Sequence, residues 1–212
     1  SLFASLICLV IGYPVAYFIA QCKPLTQRFL EMLIMLPMCM SFLLRTLAWV
    51  AMLEDTGIIN NFIRSIGLSP LPLIRSNGAV ILGMVYNYLP YMILPLYTVI
   101  MKIDHRLVEA AQDLGCNSRQ VFGRVILPLS LPGIVSGITM VFVPAVSTFI
   151  ISKMLGGGMF MLIGDYIEMQ FLGNTYNPGV GSAISLILMV IILISLFFMR
   201  GMDEETKEGI LG

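Results

Sequence analysis

Side chains that could carry out chemistry are few in this sequence of 212 residues. It has 12 acidic residues, 12 basic residues, four cysteines and one histidine, His105. The motifs HExxH, GxSxG and GxxxxGKS/T, which mark zinc proteases, serine hydrolases and phosphate-binding loops, are absent from it. The cysteines lack CxxC spacing, and we interpret them as packing thiols: Cys8, Cys22, Cys39 and Cys116. We therefore expect no catalytic residue, metal site or nucleotide site, and no cofactor bound by this chain.

Composition places these residues in a membrane protein. The chain is 58% hydrophobic and only 11% charged, and its mean hydropathy is +0.93, so it has too little polar surface to coat a soluble globule. The formal net charge is zero, which gives no argument for a nucleic-acid partner. A hydrocarbon layer of about 30 Å takes about twenty apolar residues in a helix. Five segments meet this requirement, at about 1–20, 32–53, 79–101, 132–152 and 180–200.

These spans predict an all-α polytopic bundle, folded as a single transmembrane domain over 1–212, because lipid admits only helices or closed barrels. Basic residues predict its orientation, since Lys and Arg are retained on the cytoplasmic side. One side collects Lys23, Arg28, Lys102, Arg106, Arg119, Arg124, Arg200 and Lys207, and the other has Arg64, Arg75 and Lys153. We therefore expect segment 102–131 and the C-terminus in the cytoplasm. Ser1 would then lie outside, and we expect a sixth helix before it in the full protein.

Five prolines lie inside or beside the predicted spans: Pro14, Pro37, Pro90, Pro95 and Pro144. Proline kinks a helix and frees a carbonyl, which a membrane bundle tolerates where neighbouring groups satisfy it. Two interpretations remain open. The bends could serve packing alone, or they could be hinges around a pathway.

The most informative polar stretch lies in segment 102–131 and reads EAAQDLGCNSRQVFGRVILPL over 109–129. Its apolar residues recur on one helical face, which predicts a short amphipathic helix from His105 to Leu114. Gly115 stands at the position that ends a helix in a left-handed turn. Asn117 and Gln120 have the spacing of a capping box, which predicts a second short helix through Val125.

Two prolines, Pro128 and Pro132, predict the end of that second helix and the start of the next span. Ser130 is expected to cap the span with its side chain. A simple connector between two spans needs only a handful of residues. Thirty structured ones therefore predict a surface that a partner grips, although an amphipathic helix lying on the lipid surface is an alternative.

The spacing in this stretch resembles the EAA motif of permease subunits in bacterial binding-protein-dependent ABC importers: E-A-A, three residues, G, nine residues, I-x-L-P. Val125 replaces the first Ile, which is a conservative departure. The resemblance implies a type I permease fold, and it implies that the segment is a coupling helix that docks on an ATPase subunit. It carries that role over to Glu109, Ala110, Ala111, Gly115, Leu127 and Pro128.

The same resemblance implies the partners and the location. It implies a dimer of ATP-binding cassette ATPases that holds ATP and Mg, a second homologous permease subunit and an extracellular or periplasmic binding protein. It also implies a multi-pass subunit of the bacterial inner membrane, with no enzymatic activity of its own.

Two further blocks resemble permeases of spermidine/putrescine importers: PMCMSFLLRTLAWVAMLEDTGIINNFIRSIGL at 37–68 and LPGIVSGITMVFVPAVSTFIISKMLGG at 131–157. Related permeases for phosphonate, thiamine or iron share much of this pattern and remain alternatives. A secondary transporter is a further alternative. It would bind its substrate near mid-membrane between repeats, and the sequence shows neither an internal repeat nor an acidic residue within the five spans.

A polyamine pathway needs carboxylates and aromatic faces, which attract cations. The candidates are Trp49, Glu54, Asp55, Tyr88, Tyr91, Asp165 and Glu168. Each has a second interpretation: an interfacial anchor for Trp49, solvated charges for Glu54 and Asp55, and hydrogen bonds between helices for the tyrosines. Asp165 and Glu168 could instead belong to a docking surface for the binding protein. Arg45 would repel a polyamine, and we interpret it as structural, bound to helix-end carbonyls or to a carboxylate of a partner subunit.

Overall fold

A computed structural model of the chain describes residues 1–67, 69–158, 161–173 and 176–211, with the side chains of 105 and 198–211 left out of the description. The described residues form helices and no strand, which confirms the all-α prediction. The helices are α1 (Leu2–Gln21), α2 (Pro24–Met35), α3 (Phe42–Leu53), α4 (Ile58–Ser65), α5 (Asn77–Ile100), α6 (His105–Asp113), α7 (Ser118–Val121), α8 (Leu127–Leu129), α9 (Leu131–Ser147), α10 (Ile150–Gly156), α11 (Ile163–Leu172) and α12 (Pro178–Leu211). A 3-10 helix, Leu36–Cys39, follows α2, and a π-helical turn, Phe122–Ile126, joins α7 to α8.

Three of the described helices are long and apolar enough to cross a membrane: α1, α5 and the Pro178–Phe197 part of α12. Two bent pairs raise the number of candidate spans to five. Pro24–Cys39 and Phe42–Ser65 meet at 90°, and Ser118–Leu129 and Leu131–Ser147 meet at 61°.

The structure therefore differs from two predicted spans, 32–53 and 132–152, which are not single straight helices. The first is interrupted at Met40, whose backbone is extended after the proline-containing 3-10 turn. The second is interrupted at Thr148, whose extended backbone ends α9 before α10 begins. Hydropathy averaged over a span does not change when one or two of its residues are extended. The hydropathy pattern therefore could not predict either helix break.

The core lies where α1, α5 and α9 meet. Met92 of α5 is fully buried there. A Cβ added at Gly12 of α1 would lie 3.0 Å from Met92 Cγ, and one added at Gly137 of α9 would lie 2.7 Å from Met92 Sδ. These two glycines allow the helices to approach closely, as small residues do in membrane bundles.

Four of the five prolines lie within continuous helices: Pro14 in α1, Pro90 and Pro95 in α5 and Pro144 in α9. Pro37 lies in the 3-10 helix. The Pro144 carbonyl accepts a hydrogen bond of 3.2 Å from the hydroxyl of Tyr88. A neighbouring helix thus satisfies a polar group within the bundle, as a membrane environment requires.

Buried Asn60 organises the connection between α3 and α5. Its amide nitrogen donates to the carbonyls of Leu71 at 3.0 Å and Glu54 at 3.3 Å, and its Oδ1 accepts from the Leu71 N–H at 3.0 Å. One side chain thus ties both ends of the loop together. Arg75 then donates its backbone N–H to the Leu155 carbonyl at 2.8 Å, which holds the end of this loop against α10.

Candidate functional site

The first helix of segment 102–131 is α6, His105–Asp113, which agrees with the prediction to within one residue at its end. Its N-terminus is capped by Asp104, whose Oδ1 accepts from the Arg106 N–H at 3.0 Å. Such a cap satisfies one of the free donors in the first turn of a helix. We did not predict the Asp104 cap from the sequence, although an acidic residue directly before an amphipathic run is a recognisable signal.

Gly115 ends α6 in a left-handed turn, as predicted, with φ +85°. The Gly115 N–H donates to the Gln112 carbonyl at 2.9 Å, and the Cys116 N–H donates to the Ala111 carbonyl at 3.1 Å. This pair of bonds is the Schellman arrangement, which satisfies carbonyls at a helix end. A Cβ at Gly115 would meet nothing within 4 Å. The requirement for glycine is therefore conformational rather than steric.

The second helix begins as predicted. Gln120 Oε1 accepts from the Asn117 N–H at 3.0 Å, which is the reciprocal bond expected of a capping box. Its continuation differs, because the chain passes from α7 through the π-helical turn into α8 and stays helical to Leu129. A π turn inside a helix is rare and is often found at functional sites. Leu127 and Pro128, both exposed, lie in α8 beyond it.

The prediction that Ser130 caps α9 with its side chain is wrong. Its backbone is helical and its side chain makes no capping bond. Its hydroxyl donates instead to the Leu127 carbonyl at 2.9 Å and lies 2.8 Å from the hydroxyl of Tyr13. Because the single Ser130 proton goes to Leu127, Tyr13 is the donor in this buried pair.

Most of the surface of α6 is uncovered. Glu109 and Ala110 are exposed and Ala111 is half-buried. Leu107 is 49% exposed, and Leu114, at the end of the helix, is 86% exposed. An acidic residue, small alanines and exposed leucines thus lie on the surface of one short helix, where nothing in the described part of the chain covers them.

The other side of this segment rests on the spans. Phe122 packs edge-on against Tyr13, with ring centroids 5.6 Å apart, and against Tyr17, with centroids 5.5 Å apart. A small cavity beside them is lined by the end of α1, the end of α5, Val108 of α6 and Ile126. Phe122, Tyr13, Tyr17 and Ser130 therefore form what we call the aromatic seat of the segment. Sequence reasoning missed it, because no local pattern pairs α1 with residues more than a hundred positions away.

Predicted pathway residues around α3 lie near its C-terminal end. Trp49 is half-buried and packs edge-on against Tyr86 of α5, with centroids 5.3 Å apart. Glu54 and Asp55 are exposed directly after the helix. The structure therefore leaves both carboxylates exposed, a few residues after Trp49, whose aromatic partner belongs to α5.

On α5, the two predicted tyrosines have different surroundings. Tyr88 is buried, with its hydroxyl bonded to the Pro144 carbonyl. Tyr91 is half-buried against the core. The neighbouring Asn87 is also buried and donates to the Gly83 carbonyl at 2.9 Å, but its Oδ1 has no hydrogen-bond partner among the described residues.

The predicted acidic pair of α11 is bonded to neighbouring parts of the chain. Both carboxylate oxygens of Asp165 lie 2.7 Å from the Ser152 hydroxyl, and Oδ2 also accepts from the Leu162 N–H at 2.8 Å. Glu168 Oε1 accepts from Lys153 Nζ at 2.7 Å. Both carboxylates therefore fasten α11 to α10.

Arg45 is 6% exposed on α3. Its Nε and Nη1 are buried and lack a hydrogen-bond partner among the described residues. The predicted bond to helix-end carbonyls is therefore not made within that part of the chain. The described residues also contain no group of three His, Cys, Asp or Glu side chains that could hold a metal ion.

Comparison with known proteins finds relatives that share one name. The chain is 41% identical over 196 residues to the spermidine/putrescine transport system permease protein PotB of Haemophilus influenzae, covering 92% of this chain and 68% of that protein. It is 38% identical over 193 residues to PotB of Escherichia coli strain K12, covering 90% and 70%.

Solved structures show the same fold. A bacterial ABC transporter involved in import of the acidic polysaccharide alginate matches with a TM-score of 0.71 and 19% identity, covering 96% of this chain and 76% of that one. The MetNI methionine ABC transporter matches with a TM-score of 0.66 and 20% identity, covering 96% and 89%. A family model described as "binding-protein-dependent transport system inner membrane component" matches residues 11–207. The chain therefore belongs to the family of inner membrane components of binding-protein-dependent transport systems.

Proposed function

We propose that this chain is a permease subunit of an ATP-driven importer of polyamines such as spermidine and putrescine. The assignment of polyamines as the cargo is supported by the 41% identity over 92% of the chain to a permease named for these two compounds. The residues at the end of α3 agree with it. Exposed Glu54 and Asp55 follow Trp49, which packs on Tyr86 of α5, and carboxylates and aromatic faces both attract ammonium groups.

The energy source in this proposal is a dimer of ATP-binding cassette ATPases, which binds ATP and Mg. The exposed surface of α6 and its C-terminal end, with Glu109, Ala110, Ala111 and Leu114, docks in a groove of one ATPase subunit. Gly115 fixes the direction in which the chain leaves that groove. Leu127 and Pro128 lead back toward the membrane.

The aromatic seat links this docking face to the spans. Phe122 contacts two tyrosines of α1, and Ser130 joins Tyr13 to the bend where α8 meets α9. A displacement of α6 by the ATPase would therefore be passed on to both α1 and α9. Coupling requires the docking free energy to differ between the inward-open and outward-open states.

Orientation in the membrane follows from the basic residues. Segment 102–131 and the C-terminus lie in the cytoplasm, since Lys and Arg concentrate on that side. The loop after α3 and the α10–α11 region then face outward. A substrate-binding protein docks there and delivers the cargo toward Trp49, Glu54, Asp55 and Tyr91, while Tyr88, Asp165 and Glu168 shape the walls behind them.

A second homologous permease subunit supplies the other half of the pathway. Arg45 is the strongest support for this second subunit, because a buried guanidinium without a partner lowers the stability of the fold. We propose that a carboxylate of the second permease pairs with Arg45. This pairing keeps the positive charge off the route of a cationic cargo.

The cargo is tested by purifying the full transporter in lipid and measuring which loaded binding protein stimulates its ATPase activity. Stimulation by a polyamine-loaded binding protein is expected. Stimulation only by binding proteins carrying phosphonate, thiamine or iron would refute the polyamine assignment. Transport that proceeds with no ATPase present would favour a secondary transporter.

The coupling role is tested separately at Glu109. Glu109→Lys reverses the charge presented to the ATPase groove, whereas Glu109→Gln only neutralises it. We expect uptake to be abolished by the first change and reduced by the second, with membrane levels of the protein unchanged because the side chain is exposed. Full uptake in Glu109→Lys would exclude this face from docking.

A further inference from the structure

An apolar cavity of about 500 Å³ lies between the end of α9, α11 and α12. Its volume is in the range of ligand-binding pockets. The apolar lining includes Phe149, Ile167, Phe171, Leu188, Met189 and Ile192. Only 11% of the Pro178–Phe197 stretch of α12 is buried inside the chain. The cavity therefore opens along a helix that presents most of its surface to its surroundings.

Among the described residues, one charged side chain lines this cavity, that of Glu168. Its side chain is 16% exposed, and its Oε1 accepts from Lys153 Nζ at 2.7 Å. No hydrogen bond from the described part of the chain reaches its second oxygen, Oε2. Lys153 is 62% exposed, and an ammonium group has three N–H donors, of which Glu168 uses one.

The two hydroxyls of the lining are already engaged. Ser147 donates to the Val143 carbonyl at 3.2 Å, and Ser185 donates to the Gly181 carbonyl at 2.8 Å. Among the described side chains beside the cavity, the unused bonding capacity is therefore one carboxylate oxygen of Glu168 and two N–H groups of Lys153. These belong to one ion pair, whose carboxylate lines the apolar cavity.

We propose that this cavity binds a phospholipid with a primary-amine headgroup, of the phosphatidylethanolamine type. One acyl chain occupies the apolar volume. The headgroup ammonium donates to Glu168 Oε2, and the phosphate accepts from the free N–H groups of Lys153. The lipid headgroup thus supplies an N–H donor for Glu168 and an acceptor for Lys153.

Headgroup chemistry makes this site selective. A choline headgroup carries no N–H and cannot donate to Glu168, and a glycerol headgroup carries no cation at all. A polyamine is a poor occupant, because it would place several ammonium groups beside an almost wholly apolar wall. Bonds to charged groups are strong enough for a preference of about tenfold over the other two headgroups.

The test uses the full-length protein, purified from membranes together with the subunits that accompany it. Lipids that remain bound after detergent exchange are quantified by mass spectrometry and compared with the bulk membrane. Glu168→Gln and Lys153→Gln each remove half of the polar pair, and Met189→Trp fills the cavity. Met32→Trp is the matched control, since Met32 is 71% exposed and lines another apolar groove whose lining has no charged residue.

Wild-type protein should retain the ethanolamine lipid about tenfold above its bulk share. The three cavity variants should bring that enrichment back to the bulk value, while Met32→Trp keeps it. Equal enrichment in Glu168→Gln, or preferential retention of choline or glycerol lipids, would overturn the proposal. A photo-crosslinking residue at position 189 that labels a polypeptide rather than lipid would overturn it as well, and would assign the cavity to a partner helix.

Discussion

At the scale of single residues, the hydrogen bond between Tyr13 and Ser130 shows most directly how segment 102–131 is held against the spans. It joins α1 to the bend between α8 and α9, and it is buried. Removing one partner leaves a buried polar group unsatisfied, which costs about 1–3 kcal/mol, whereas removing both costs much less. The pair is thus suited to a double-mutant cycle.

We expect Ser130→Ala to lower the thermal stability of the purified protein, because the Tyr13 hydroxyl loses its acceptor. Tyr13→Phe in the same chain should restore part of the loss, with a coupling energy of about 1 kcal/mol. Strictly additive losses in the double variant would show that the two side chains do not depend on each other.

The left-handed turn at Gly115 can be tested by substitution. Its left-handed backbone costs an ordinary residue about 1–2 kcal/mol, while asparagine tolerates this conformation better. Gly115→Val should therefore abolish uptake through a misdirected exit from α6, and Gly115→Asn should retain much of it. Uptake and the amount of protein in the membrane are measured together. Since a Cβ meets no neighbour here, equal uptake in both variants would remove the turn from the mechanism.

The sequence could predict Gly115 and the Asn117–Gln120 box, because each acts on residues within a few positions of itself. It could not predict the Tyr13–Ser130 bond, whose partners are 117 positions apart. Ser130 shows why. A serine before a proline-started helix favours a cap, but here a tertiary partner and a carbonyl one turn back take both bonding functions of the hydroxyl.

At the scale of elements, close contact of α1, α5 and α9 depends on the space that two glycines leave for Met92. We expect Gly137→Ala to destabilise the protein by about 1–3 kcal/mol, since its Cβ would lie 2.7 Å from Met92 Sδ. Gly123→Ala is the matched control, because a Cβ there meets nothing within 4 Å. Thermal unfolding in detergent compares the two. Equal effects would mean that close packing at Met92 does not limit stability.

The three long apolar helices were predictable from the sequence, whereas the breaks in the other two predicted spans were not. The first, third and fifth predicted spans correspond to α1, α5 and α12. They were predictable because about twenty consecutive apolar residues in lipid satisfy their backbone hydrogen bonds by forming a helix. The 90° bend between Pro24–Cys39 and Phe42–Ser65 comes from a proline-containing 3-10 helix and an extended Met40. Such a bend changes direction without changing composition, so hydropathy does not register it.

At the scale of the whole molecule, Arg45 connects this chain to the assembly that we propose. Its guanidinium is buried with two nitrogens unpaired in the described structure. We expect Arg45→Met to lower recovery of the second permease about tenfold in copurification, because breaking a buried ion pair leaves an uncompensated carboxylate in the partner. Arg45→Lys, which keeps the charge, should lose less. Undiminished recovery with Arg45→Met would exclude an intersubunit ion pair.

Docking of α6 on the ATPase is tested most directly with a photo-crosslinking residue at each of two exposed leucines of the assembled transporter. Leu114, at the end of α6, is 86% exposed, and Leu172, at the end of α11, is 82% exposed, so the two sites differ in location rather than accessibility. We expect position 114 to crosslink to the ATPase subunit and position 172 not to. A crosslink to the ATPase from position 172, or none from position 114 while the ATPase copurifies, would show that α6 is not the docking element.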